Sequence, residues 1–263
     1  MRKYWAIFRI VINDAFVQRA EGFVYFLADL MTPLLMMIAW QAIFINNNQI
    51  GGYSLSQILI YYLFIFVLRT ILSVYPNEIT RYIKTGELNF FLVKPMGLIA
   101  YQLIGEFAWK VVRLIFLLIS TLIMYKLFLS GSTLPPLYLY SPAFIISLIL
   151  AFLLNFFLKV CIEFFAFWIS ETEGLRISFY ILEAFFAGAL LPINLMPKII
   201  QELGNYLPFK YFYYFPTQIA LGNLSVSEIS SGLFVVSLWL FGAYMISRLF
   251  LNFGLKHYSA YSG

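Results

Sequence analysis

One cysteine, one histidine and very little charge are all this chain offers for conventional side-chain chemistry. A lone Cys161 builds no disulfide framework and no thiolate metal site. A lone His257, close to the C-terminus, leaves no basis for a histidine-ligated metal or a His-based triad. Charged residues make up 11% of the 263 residues, against about a quarter in a soluble domain. The phosphate-cradling pattern GxxxxGK[ST] is missing, and the apolar runs leave no room for a nucleotide domain of ~200 residues. The chain is therefore expected to hold no cofactor and no metal and to catalyse nothing by itself. Internal repeats and linker-like stretches are also missing, so residues 1–263 read as one domain.

What is present is apolar: 62% hydrophobic residues, 20% of the chain aromatic. Runs of about twenty such residues recur, which makes the bilayer the expected solvent. Backbone groups in hydrocarbon must be paired internally, leaving helices or a closed barrel. A barrel reads as alternating segments of ~10 residues, whereas "LLMMIAWQAIF" and "PAFIISLILAFLLNFFL" are continuous. The reading is an all-α integral membrane protein with six transmembrane helices, at about 23–45, 56–76, 100–129, 142–168, 175–192 and 231–252.

The first 22 residues interrupt their apolar content with Arg9, Asn13 and Asp14, unlike a signal peptide. At helical spacing Tyr4, Trp5, Phe8, Val11, Ile12, Ala15 and Phe16 share one face, and Arg2, Lys3, Arg9, Asn13 and Asp14 take the other. Residues 1–22 are thus expected to form an amphipathic helix at the membrane interface. With that helix inside, all of the 17 Lys and Arg residues except Lys126, Lys198 and Lys210 fall on the cytoplasmic side or near its span ends. The bias puts both termini in the cytoplasm of a multi-pass plasma (inner) membrane protein. The uncharged loops "INNNQIGGYS" and "SGSTLPPLY" suit the outer face.

Residues 192–230, between the fifth and sixth spans, are too long for a turn and too apolar for a loose loop. Pro192, Pro197, Pro208 and Pro216 divide them into short pieces, none with ~17 uninterrupted apolar residues. Short helices in the outer leaflet are expected, with Tyr206, Tyr211, Tyr213 and Tyr214 at headgroup level.

Residues 77–99, "NEITRYIKTGELNFFLVKPMGLI", lie on the cytoplasmic side between the second and third spans. Asn77 suits a helix cap after Pro76. Ile79, Tyr82 and Ile83 make an apolar face, with Glu78, Arg81 and Lys84 turned away from it. Gly86 suits a helix end, "NFFLV" returns to the surface, and Lys94 and Pro95 close the segment. An amphipathic turn, then "GELNFFLVKP", then a third span resembles the type-two ABC export permease family, in its branch of short six-span permeases. The resemblance covers essentially the whole chain, and its acidic-Leu and Lys-Pro elements are the most specific part. It implies a permease dimer, homo- or heterodimeric, working with two copies of a soluble ABC ATPase that holds ATP and Mg. It also implies that Arg81, Lys84, Thr85, Gly86, Glu87 and Leu88 contact or shape the ATPase-coupling surface, with the N-terminal helix beside it.

Charges within spans cost roughly 2.5–3.5 kcal/mol each at mid-span, so each needs a reason. Lys159 and Glu163 are spaced to pair along one helix face. Arg69 can snorkel to the interface or meet Asp29. Lys110 and Arg113 are expected at lipid headgroups. Glu183 and Asp29 are the candidates for a substrate path or gate, with pairing to a neighbouring helix as the structural alternative. The sequence reading is a permease subunit of an ATP-driven exporter of a hydrophobic or amphipathic substrate, surrounded by lipid and with no nucleic-acid partner. An intramembrane lipid-modifying enzyme would need convergent acids, bases or a metal at one depth. An ion-coupled secondary transporter would commonly show repeats and midplane breaks.

Overall fold

The computed structural model describes residues 2–17, 19–93, 97–130, 138–139 and 141–258. Lys94 and Pro95, and most of the "SGSTLPPLY" loop, lie outside the described residues. Among the described residues the chain is helical, apart from an isolated bridge between Ile50 and Tyr53. The helices are α1 (Arg2–Val17), α2 (Arg19–Ile43), α3 (Leu55–Leu72), α4 (Glu78–Thr85), α5 (Leu88–Leu92), α6 (Leu98–Phe128), α7 (Pro142–Phe164), α8 (Glu173–Phe186), α9 (Lys198–Asn205), α10 (Tyr214–Ala220) and α11 (Val226–His257).

Four stretches among the described residues are long and apolar enough to cross a membrane: Phe26–Asn46, Leu55–Leu72, Pro142–Phe167 and Val226–His257. A fifth is α6, if its two halves, bent by 45° between Leu114 and Phe116, count as one span. The stretch expected as the fifth of six spans, 175–192, is different. Its helix α8 has 14 residues, about 21 Å at 1.5 Å per residue, against a hydrocarbon core of ~30 Å. The chain leaves helical geometry after Phe186 and continues through short turns to Pro197.

Helix α3 is the centre of the bundle. Ser54 and Gln57 form a reciprocal capping box at its start, and Ile58, Ile60, Tyr61, Tyr62, Ile65 and Phe66 are all buried. It packs against α2, α6, α7 and α10. Helix α11 runs along α7, and α1 runs along α6. Val11 and Ala15 are the buried residues of α1, while Trp5, Ile10 and Val17 are exposed. α1 thus ends at Val17, short of the expected 1–22, and runs along α6 with Val11 and Ala15 buried.

Irregular backbone at membrane depth is tolerated where protein buries and pairs it, and residues 187–197 meet that condition. Tyr61 donates to the Gly188 carbonyl at 2.7 Å and Tyr62 donates to the Leu190 carbonyl at 2.8 Å. Trp40 donates in turn to the Tyr62 hydroxyl at 3.0 Å. Tyr53 donates to Asn194 and accepts from Gln218 of α10. The segment 187–220 thus folds down onto α3 instead of lying on the surface. This corrects the placement of its tyrosines. Tyr206 is 80% exposed, but Tyr211 and Tyr213 are buried, because the Tyr211 ring packs edge-on against Phe215 and the Tyr213 hydroxyl reaches Glu183.

Gly188 has φ +78°, and a Cβ there would meet the Tyr61 hydroxyl at 2.6 Å and Tyr214 Cβ at 3.0 Å. Gly188→Ala is expected to destabilise by roughly 2 kcal/mol or more, combining left-handed strain with displacement of Tyr61. Gly242→Ala, where nothing lies within 4 Å, is the control expected to be neutral or mildly stabilising. Thermal midpoints of the purified variants compare the two.

Candidate functional site

The segment 77–93 folds as two short helices against the basic end of the bundle. Ile79, Tyr82, Ile83, Leu88 and Phe91 are buried, while Glu78, Arg81, Lys84, Thr85 and Glu87 are exposed. Gly86 ends α4 in the left-handed conformation, φ +81°, which only glycine adopts freely. Phe91 packs at a tilt against Tyr82, ring centroids 4.8 Å apart, and edge-on against Tyr101 of α6 at 5.0 Å. Leu88 is fully buried, so it seats the segment and leaves surface contact to its neighbours. Asn77 does occupy the position before α4, but its side chain makes no capping bond, and its Oδ1 is buried without a hydrogen-bond partner. The reason is backbone: at φ −61° and ψ −25° Asn77 is already helical, whereas a capping residue sits in the β region.

The exposed face is organised by Arg81. It pairs with Glu78, and its Nη1 lies 2.7 Å from both Glu87 carboxylate oxygens. Its hydrogen bonds to Glu78, then those to Glu87, hold the guanidinium above its ordinary value. The Thr85 hydroxyl donates to the Arg81 carbonyl at 2.9 Å and to Glu87 at 3.1 Å. Of the six residues expected at the coupling surface, Arg81, Thr85 and Glu87 are bonded together around the Gly86 turn, Lys84 is exposed beside them and Leu88 is buried beneath.

The buried face ties α4 into the bundle. The Thr80 hydroxyl donates to Glu163 Oε2 of α7 at 2.5 Å. Arg176, in the first turn of α8, donates through Nε to Glu163 Oε1 at 2.9 Å and through Nη2 to Thr172 at 3.3 Å. About one turn along α7, Lys159 lies 3.0 Å from Glu183 of α8. Tyr213, from the far-side segment, donates to the other Glu183 oxygen at 2.5 Å. The Lys159 ammonium also sits over the rings of Tyr75, Phe179 and Tyr180. Two rungs thus join α7 to α8, and a hydrogen bond extends them at each end: Thr80 of α4 on one side, Tyr213 on the other.

This overturns the expected Lys159–Glu163 pair. The two residues do share a helix face, but α8 folds back antiparallel to α7. Its Arg176 and Glu183, two turns apart, present the complementary charges in reverse order. Glu183 pairs with Lys159 of α7. The sequence signal was this base-to-acid spacing on α8 set against the one on α7; reading α7 alone missed Thr80, Arg176 and Tyr213.

Asp29 does face Arg69, at 3.7 Å, and also Arg113, at 4.0 Å. Arg113 and Lys110 do not reach for headgroups. Arg113 is 6% exposed and donates to the Ser73 hydroxyl at 3.3 Å, and Lys110 donates to the Ser73 carbonyl at 2.5 Å. Asn155 donates to the Leu72 carbonyl at 3.1 Å, and Glu106 accepts from the Tyr75 N–H at 2.7 Å. The end of α3 has carbonyls with no helical partner, and these side chains from α6 and α7 serve it, which draws the two cations inward. A cavity of about 250 Å³ lies here, lined by Asp29, Arg69, Ser73, Tyr75, Lys159, Glu183 and neighbours. A second, of about 500 Å³, lies between α1, α4 and α6 and shares Tyr75 with the first. Among the described residues no group of three or more His, Cys, Asp and Glu side chains is placed to hold a metal ion.

The family model described as "ABC-2 family transporter protein" matches residues 30–262. No curated protein and no solved structure matches the chain.

Proposed function

The chain belongs to the ABC-2 transporter family, and on that premise we propose that it is the membrane subunit of an ATP-driven exporter in a bacterial plasma membrane. It moves a hydrophobic or amphipathic cargo and takes its energy from a separate ABC ATPase. It works as a dimer, with a second copy or a related permease, and two ATPase subunits. α8 and the folded-down segment after it together make the sixth crossing, which leaves both termini in the cytoplasm.

The observation that carries this reading is the two-faced α4–α5 segment. Its outer face is a fixed cluster of Arg81, Lys84, Thr85 and Glu87, and its inner face is bonded through Thr80 to α7 and α8. A helix pressed by a partner on such a face displaces what it is bonded to, and interfaces of this kind repack between discrete arrangements. Closure of the ATPase dimer is thereby passed to α7 and α8, and from Glu183 to the outer segment. The amphipathic α1 lies beside the lever, on α6.

The paired substitution Arg81→Ala and Glu87→Ala is expected to reduce co-purification of the ATPase at least tenfold. Both side chains are exposed, so the unfolding free energy should change by no more than about 1 kcal/mol. ATPase retained at wild-type stoichiometry by this variant would refute the docking role.

A further inference from the structure

The cavity of about 500 Å³ has the size of a small-molecule site, for which ~300–1,000 Å³ is usual. Its wall on α6 is a polar stripe. Gln102, Glu106, Trp109 and Arg113 follow at spacings of four, three and four, so they share one helix face. Val11 and Asp14 of α1, and Asn77, Arg81 and Tyr82 from the start of the α4 segment, line it as well. Polar side chains on a long apolar helix are costly and call for a use.

Both arginines and Glu106 already have partners. Arg81 is held by Glu78 and Glu87 and lies over the Tyr82 ring. Arg113 donates to Ser73 and lies over the Tyr75 ring. Glu106 accepts from the Tyr75 N–H at 2.7 Å. The groups left over are neutral. Gln102 is 7% exposed, and its Nε2, a donor, has no hydrogen-bond partner. Asn77 Oδ1, an acceptor, has none either. Trp109 is half-buried, and among the described residues it makes no hydrogen bond and packs on no other ring.

These three groups together describe a ligand. It accepts from Gln102, donates to Asn77 and lays an apolar face on the indole. A hydroxyl both donates and accepts, and a sugar ring carries several of them around a face of C–H bonds. Water answers the two amides but offers the indole nothing. Room for a ring is left at Gly105, where a Cβ would meet only Val11 Cγ1, at 3.9 Å.

We propose that this cavity binds one neutral sugar ring, stacked on Trp109 and held by Gln102 and Asn77, as the headgroup of a glycolipid or as the free sugar. The inference goes beyond the export reading and does not rest on it.

The test uses the full chain purified in a polyoxyethylene detergent, which carries no sugar of its own. It is titrated with short-chain diacylglycerols bearing glucose, galactose or mannose, with the bare diacylglycerol, and with the three free sugars. Binding is read from the thermal unfolding midpoint. At least one glycosylated lipid is expected to raise the midpoint saturably, and the bare diacylglycerol to leave it unchanged. Saturation by the free sugar at the same concentrations also supports the site and assigns the ligand to solution. Gln102→Leu should weaken the apparent affinity roughly threefold to tenfold, the worth of one hydrogen bond. The empty variant should stay folded, because an apolar group replaces an unserved buried amide. Gly105→Leu puts a better helix former into the space for the ring and should abolish binding. No saturable shift from any of the sugars, an equal shift from bare diacylglycerol, or wild-type affinity in either variant would overturn the site. None of these outcomes bears on the Arg81/Glu87 docking result.

Discussion

Lys159→Ala is expected to lower stability by about 3–5 kcal/mol, the cost of leaving a buried carboxylate without its partner. Glu183 is 7% exposed and has Lys159 at 3.0 Å as its counter-charge. Without the ammonium its charge faces α2, α3 and the lipid-depth interior with only the Tyr213 hydroxyl as donor. The companion variant Lys159→Met/Glu183→Leu/Tyr213→Phe removes the whole unit and replaces it with groups of similar bulk. It is expected to recover most of the loss, because an apolar substitute for a complete buried pair is often neutral or better. Unfolding by anionic detergent in mixed micelles measures both. A triple variant as unstable as the single one would mean that the rung is held for its shape and not for its charge. If the triple variant is stable but transports nothing, the rung is there to pass movement between α7, α8 and the outer segment.

Thr80→Val is expected to uncouple transport. Valine keeps the shape of threonine and removes the donor that reaches Glu163 at 2.5 Å. A hydrogen bond to a charged group contributes about 1.5–3 kcal/mol, enough to shift a two-state equilibrium roughly tenfold or more. Cargo moved per ATP hydrolysed in proteoliposomes should fall by that factor, while the ATPase still co-purifies, because Thr80 lies on the buried face of α4. Thr80→Ser, which restores the hydroxyl, should return most of the coupling. Undiminished transport by the valine variant would remove Thr80 from the path.

Most of the α4–α5 segment was legible from spacing. The buried set Ile79, Tyr82, Ile83 follows from helical periodicity, and Gly86 from the left-handed turn that closes such a helix. The solvent was legible from composition, and so were the long helices, since runs such as "PAFIISLILAFLLNFFL" admit no other backbone in lipid. Of the pairings between helices, Arg69 facing Asp29 was legible and the others were not. Lys159 and Glu163 satisfy the local rule for partnership, and only the return of α8 along α7 offers each a better partner. Lys110 and Arg113 look like interfacial cations because nothing in their neighbourhood shows that α3 ends against them. Tyr211 and Tyr213 have the right chemistry for an interfacial belt, but the buried Glu183 takes the Tyr213 hydroxyl and Phe215 takes the Tyr211 ring inside the bundle.

The short reach of α8 makes it dependent on a neighbour. Its 14 helical residues, about 21 Å long, stop before Gly188 and Leu190, whose carbonyls are answered by the Tyr61 and Tyr62 hydroxyls of α3. Backbone that leaves helical geometry away from water needs such partners. Any rotation of α3 that withdrew the two phenols would leave those carbonyls orphaned, so the pair acts as a latch on the register between the two helices.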